Sequence, residues 1–145
     1  MKVRIKRIDK TLPLPKYETE GAVAFDLIAR ETVTINPKEI KLIPANIIVE
    51  IPKGYVLIVA SRSSTPRKKG LMLANSIAVI DQDYHGDKDE IMTQVYNFTE
   101  HPVTVERGEK ISQAMFVRVD TVEWEEVNSE MRSGSRGGFG STDKK

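Results

Sequence analysis

The chain has 145 residues, with 22 Lys and Arg against 21 Asp and Glu, a formal net charge of +1 and no cysteine. That is one domain's worth of chain, long enough to bury a core unaided, and the missing cysteines exclude disulfide scaffolds, thiolate zinc sites and cysteine nucleophiles. Balanced charge argues against a nucleic-acid partner, no apolar run approaches the roughly 18 residues of a membrane span, and the basic start lacks an apolar stretch, so a cytoplasmic protein is expected.

Taken in chain order, residues 3–5, 32–35, 46–51, 55–61, 71–73, 76–80, 90–98, 103–105, 110–119 and 122–127 read as short strands rich in Val, Ile, Thr and Tyr. Turn residues punctuate them, as at Pro52-Lys53-Gly54, His85-Gly86, His101-Pro102 and Arg107-Gly108. The spacing predicts an all-β, jelly-roll-like or barrel architecture. One short helix is expected over 64–69, with Ser64 or Thr65 as N-cap and Pro66 in its first turn. Trp124 reads as a half-buried edge-strand residue, and Met72 and Met92 as core. Residues 131–145, MRSGSRGGFGSTDKK, lack the apolar content to pack. The chain therefore divides into a β-rich core, 1–128, and a flexible C-terminal arm, 129–145.

Four stretches and the arm carry candidate chemistry, each beside a plainer reading. In the arm, Phe139 lies between glycines with Arg132 and Arg136 upstream and Gly140, Ser141 and Thr142 downstream, a composition suited to closing over a nucleotide. A frayed terminus is the plain alternative. Arg62, Ser63 and Ser64 sit where a strand meets the short helix, suited to phosphate or simply a cap. In NSIAVIDQDYHGD, alternation puts Asp81 on the face of Ile77 and Val79, where an apolar setting would raise its basicity; a polar hairpin tip is the alternative. Asp26, inside the apolar run AVAFDLIA, must be paired, and an Arg partner is the ordinary expectation. Gln113, inside a strand, raises the same question and is commonly answered by backbone.

Together, AVAFDLIA, SRSS, NSIAVIDQDYHGD, ERGEKISQAMF and GGFGST, in that order, resemble the motifs of the homotrimeric dUTPase family over nearly the whole chain. The resemblance implies a β-clip subunit, a trimer with shared active sites, and hydrolysis of dUTP to dUMP and pyrophosphate. That reaction keeps uracil out of DNA and supplies dUMP for dTMP synthesis. It implies Mg²⁺ carried by the triphosphate, with no direct protein ligand and Asp26 acting through water. It assigns Asp81 to activating water at the α-phosphorus, Tyr84 to the deoxyribose and Asn75 to the uracil edge. Arg62, Ser63, Ser64 and Gln113 fall on phosphates. Phe139 falls over the base, and Gly140, Ser141, Thr142 and an arm arginine, Arg136 or Arg132, close on the triphosphate. Two departures are visible: Gly134 stands where the family usually has its arm arginine, and Asp143 follows Thr142 in place of glycine. A dCTP deaminase of the same fold is the nearest rival, but the position of its catalytic glutamate is Gln94 here. A non-catalytic nucleotide-sensing or protein-binding member of the fold is the other.

Overall fold

Alternating apolar and polar side chains decide which strand faces enter the core. In the computed structural model, which describes residues 1–139, the chain forms β1 (Ile5–Arg7), β2 (Phe25–Ile28), β3 (Val33–Ile35), β4 (Ile40–Pro44), β5 (Ile47–Val49), β6 (Tyr55–Ser61), α1 (Thr65–Lys69), β7 (Leu71–Leu73), β8 (Ile77–Ile80), β9 (Met92–Asn97), β10 (Val103–Val105) and β11 (Lys110–Arg118). A four-stranded sheet runs β2-β11-β6-β8 and a three-stranded sheet β4-β9-β7, with β1 on β5 and β3 on β10 as short pairs. Every pairing is antiparallel. The architecture is the expected all-β one. No described helix is long and apolar enough to cross a membrane.

Phe25, Leu27, Leu57, Val59 and Ala114 line the inner face of the four-stranded sheet and pack with Ile47, Val49, Leu73 and Ile91. A second cluster joins Ile35, Ile43, Leu71, Val95, Val105 and Ile111. Each fully buried Leu or Ile contributes about 1.5–3 kcal/mol relative to exposure. Buried Thr93, Ser112 and Asn97 are paired, whereas the buried Ser61 Oγ has no partner among the described residues. Thr93 Oγ1 meets Ser112 Oγ at 2.8 Å, and Asn97 Nδ2 donates to the carbonyls of Ile35 and His101 at 3.0 and 2.8 Å. His101 therefore serves the turn expected of it.

The helix forms where expected. Ser64 is its N-cap, Pro66 lies in the first turn, and Gly70 closes it at φ 70° by donating its N–H to the Pro66 carbonyl. A side chain at Gly70 would both strain that backbone and run into the side chain of Thr99.

Several expectations are corrected. The first strand lies at 5–7 rather than 3–5, and β2 and β4 occupy stretches not read as strands. Pro44 is tolerated in β4 because that strand is a sheet edge. Residues 122–127 form no strand, and Trp124 is 92% exposed rather than half-buried. The alternation there is genuine, but a strand needs a partner, and within the described chain this segment has none. Met72 is exposed on the outer face of the three-stranded sheet, not in the core.

Candidate active site

One end of the four-stranded sheet gathers Asp26, Arg62, Lys110 and Gln113. Antiparallel register sets Gln113 of β11 opposite both Asp26 of β2 and Ala60 of β6. Arg62 follows directly from β6, and its Nε donates to Asp26 Oδ1 at 2.7 Å. Lys110 Nζ meets Asp26 Oδ2 at 2.8 Å and Glu18 Oε1 at 2.7 Å. Asp26 thus has the arginine partner expected of a carboxylate in an apolar run. The hydrogen bond to Asp26 foremost, and that to Glu18 next, hold the Lys110 ammonium above its ordinary range; the Lys110 bond holds Glu18 below the usual carboxylate range. Gln113 Nε2 donates to the Ser61 carbonyl at 3.0 Å, the backbone satisfaction expected for it.

This end is prepared for an anion. Arg62 commits Nε to Asp26, leaving its terminal nitrogens to form a fork. Ser63 is exposed, and Ser64 caps the helix by position only, with no side-chain capping bond. Both hydroxyls can donate outward. Arg67 and Lys68 lie beside them on the exposed side of α1. Lys110, which sequence reasoning did not single out, belongs to the same cluster. A register shift between Lys110 and Ser112 brings it to the Asp26 side, where strict alternation from Gln113 would turn it away.

The second group lies on β8 and the loop that follows. Asn75 and Ser76 make the turn into β8, where the Ile77 N–H returns to the Asn75 carbonyl at 2.7 Å around Ser76 at φ 63°. Asp81 ends the strand, and its side chain is exposed. The face it shares with Ile77 and Val79 is apolar but outward, with those residues 49% and 58% exposed. Within one chain, Asp81 therefore lacks the apolar covering expected for it. Tyr84 is also exposed, and its hydroxyl donates to the Glu90 carbonyl at 3.2 Å.

The two groups do not meet within one chain. Ala60 pairs with Ile77 and Leu57 with Ile80, so the end of β6 that leads into Arg62 lies opposite the start of β8, and Asp81 follows the far end of β8. The paired rows alone span three strand steps of about 3.3 Å, roughly 10 Å, with Arg62 beyond one end and Asp81 beyond the other. Between them the outer face is apolar, with Met115, Ile58 and Val79 in one cross-strand row.

Residues 121–139 make no hydrogen bond to the rest of the described chain. Arg132, Arg136 and Phe139 are exposed, and Phe139 has φ 49°. The expected contributions of Gly140, Ser141 and Thr142, like Asp143, fall outside the described residues.

The outer sheet face of this all-β chain thus carries a cation-rich end, a carboxylate end and an apolar middle. The dUTPase family model matches residues 10–143. The deoxyuridine 5'-triphosphate nucleotidohydrolase of Lactococcus lactis subsp. lactis is 41% identical over 132 residues, covering 89% of this chain and 87% of the relative. That of Caldanaerobacter subterraneus subsp. tengcongensis is 40% identical, covering 97% and 96%. Among solved structures, dUTPase from Streptococcus mutans superposes with a TM-score of 0.76 at 35% identity, covering 83% of this chain and 98% of that one. The Staphylococcus bacteriophage 80alpha dUTPase with dUPNHPP gives a TM-score of 0.83 at 26% identity, covering 97% of both. The chain belongs to the dUTPase family, a family of nucleotide hydrolases.

Proposed function

We propose that the chain hydrolyses dUTP to dUMP and pyrophosphate as a homotrimer with shared active sites, in the cytoplasm. The observation that carries this reading is the sorting of the dUTPase-like residues onto two ends of one sheet face. Asp26, Arg62, Ser63, Ser64 and Gln113 sit at one end, Asp81 and Tyr84 at the other, with apolar surface between. Copies that bury the apolar middle would bring the phosphate end of one subunit to the carboxylate end of the next, and would supply the covering that Asp81 lacks alone.

In that site Asp81 accepts a proton from water as the water oxygen attacks the α-phosphorus in line. The bond from that phosphorus to the α,β-bridging oxygen breaks, and pyrophosphate leaves with the added charge. Arg62, Ser63, Ser64 and Gln113 hold the phosphates, and guanidinium donors stabilise the developing charge. Tyr84 packs on the deoxyribose and leaves no room for a 2′-hydroxyl, while Asn75 and hairpin backbone read the uracil edge. Phe139 covers the base, and Arg136 (or Arg132) with Gly140, Ser141 and Thr142 closes on the triphosphate.

Mg²⁺, when bound on the triphosphate, supplies charge neutralisation there. The donor set fits an ion carried by the substrate. Both oxygens of Asp26 are held by Arg62 and Lys110, so a contact of Asp26 with such an ion would run through water.

Gln94 bears on the deaminase alternative. It lies in the other sheet, opposite Leu42 of β4, and an amide there offers no general base. The deciding experiment offers dUTP, dCTP, dTTP and UTP side by side with Mg²⁺ and identifies the products. Pyrophosphate from dUTP alone is expected. Ammonia from dCTP, or dUTP binding without turnover, overturns the proposal.

A further inference from the structure

Glu90 closes the loop that begins at Asp81, and it is the loop's tie to the interior. Its carboxylate accepts Arg30 Nε at 2.8 Å on one oxygen and Arg30 Nη2 at 3.1 Å on the other, a two-pronged pair. The first oxygen also accepts the Asn46 N–H at 2.8 Å. The Glu90 side chain is only 13% exposed. Asn46 is fully buried and held at φ 69°. Its side chain clasps Asp9 reciprocally, accepting the Asp9 N–H at 2.7 Å and donating to the Asp9 carbonyl at 3.0 Å. Arg30 is fixed in turn by its own N–H on the Pro44 carbonyl at 2.8 Å. Ala45 and Ile47 flank Asn46 and bond to Ile91 on the far side of Glu90. Every partner of the Glu90 carboxylate is therefore part of the rigid body.

The rest of the loop is held lightly. Its other bonds to the body are Gln82 Nε2 on the Tyr55 carbonyl at 3.0 Å and an exposed pair between Lys6 and Asp87. The Tyr84 N–H reaches the Asp81 carbonyl at 3.3 Å, and its side chain makes one bond, from its hydroxyl to the Glu90 carbonyl. That carbonyl belongs to the residue whose side chain Arg30 and Asn46 lock.

We propose that Arg30 and Glu90 are a positioning pair that fixes the Tyr84 ring and thereby sets the preference for a 2′-deoxyribonucleotide over a ribonucleotide. This rests on the reading of Tyr84 as the surface against the sugar. Neither residue touches substrate. A bidentate guanidinium–carboxylate pair fixes geometry in a way that a lysine or an amide does not. Without that side-chain anchor the Glu90 peptide is held only through the Ile91 N–H on the Ile47 carbonyl at 2.9 Å, and the carbonyl and the phenol gain freedom that opens room for a 2′-hydroxyl.

The test compares kcat and KM for dUTP and for UTP in the full-length wild type, Glu90→Gln, Arg30→Lys, Tyr84→Phe and Glu90→Gln/Tyr84→Phe, with melting temperature and oligomeric state recorded for each. Glu90→Gln and Arg30→Lys are each expected to lower the dUTP-to-UTP ratio of kcat/KM about tenfold, with KM for dUTP moving more than kcat. In the Tyr84→Phe background, Glu90→Gln is expected to lower the ratio no further. If Glu90→Gln fails to fold, Arg30→Lys carries the same expectation. Wild-type discrimination that survives in the folded variants, or a Glu90→Gln effect undiminished in Tyr84→Phe, overturns the pair's role alone. A wild type that hydrolyses dUTP no better than UTP overturns the reading of Tyr84 and this inference with it.

Discussion

Asp81 and Asp26 are both carboxylates next to apolar strand residues, yet their surroundings assign them different work. Asp26 has both oxygens held by cations, at 2.7 Å from Arg62 and 2.8 Å from Lys110. Those cations occupy Asp26, whereas the exposed Asp81 carboxylate leaves room for the water that the proposed reaction requires. Asp81→Asn keeps the shape and removes the base. It is expected to lower kcat by about a hundredfold or more with dUTP affinity little changed, checked by steady-state kinetics and equilibrium binding. Asp9 shows how a surface carboxylate acts on stability instead. The hydrogen bond from Arg107, 2.6 Å away, foremost, then those from Thr11, hold its carboxyl below the usual range. A depressed folded value stabilises above the unfolded pKa of about 3.9 and loses that contribution as pH falls through the folded value. Asp9→Asn should therefore melt below wild type at pH 7, and the gap should close progressively below about pH 4. Melting curves from pH 7 down to acid check this, and a gap that persists in acid would assign the effect to packing.

Element by element, legibility depended on whether a segment finds its partner inside the chain. β6, β7 and β10 stand where the apolar pattern put them because their alternation, their flanking turns and their pairing all agree. β4 escaped notice because it runs into β5 with one break, at Asn46 with φ 69°, and an asparagine held in the left-handed region leaves little trace in composition. β2 escaped because Asp26 interrupts its apolar run, and only the cations from β11 and the end of β6 explain that residue. The Arg30–Glu90 pair, 60 positions apart, had no local signal at all. The segment 122–127 failed the other way, carrying a strand pattern without a strand. The arm beyond it makes no bond to the body among the described residues, so its loss should not disturb the core. Removing residues 131–145 is expected to leave melting temperature and oligomeric state unchanged while reducing kcat/KM for dUTP by about a hundredfold, as for a lid that supplies phosphate donors and excludes water. Full activity of the shortened chain would show that the arm takes no part in the reaction.

At the scale of the whole molecule, the question is how a site assembles from residues that one chain keeps apart. β8 runs antiparallel to β6, so the strand end that leads into Arg62 lies opposite the start of β8, while Asp81 follows its far end. Under the proposed reading, a single chain would keep its phosphate-binding end apart from its water-activating carboxylate. In the proposed trimer a neighbour's Arg62 end would meet Asp81, and the apolar row of Met115, Ile58 and Val79 would offer the copies a surface to share. A cyclic trimer repeats one such heterologous contact three times and closes, leaving no unused end. Mixing subunits tests this directly. Arg62→Ala and Asp81→Asn chains, each nearly inactive alone, are unfolded together and refolded as mixed trimers. Random assortment pairs an intact Arg62 from one chain with an intact Asp81 from the next at about one quarter of the sites, so activity should return to about a quarter of wild type. A site built within one chain gives no recovery at any mixing ratio, because every chain then carries a broken site of its own.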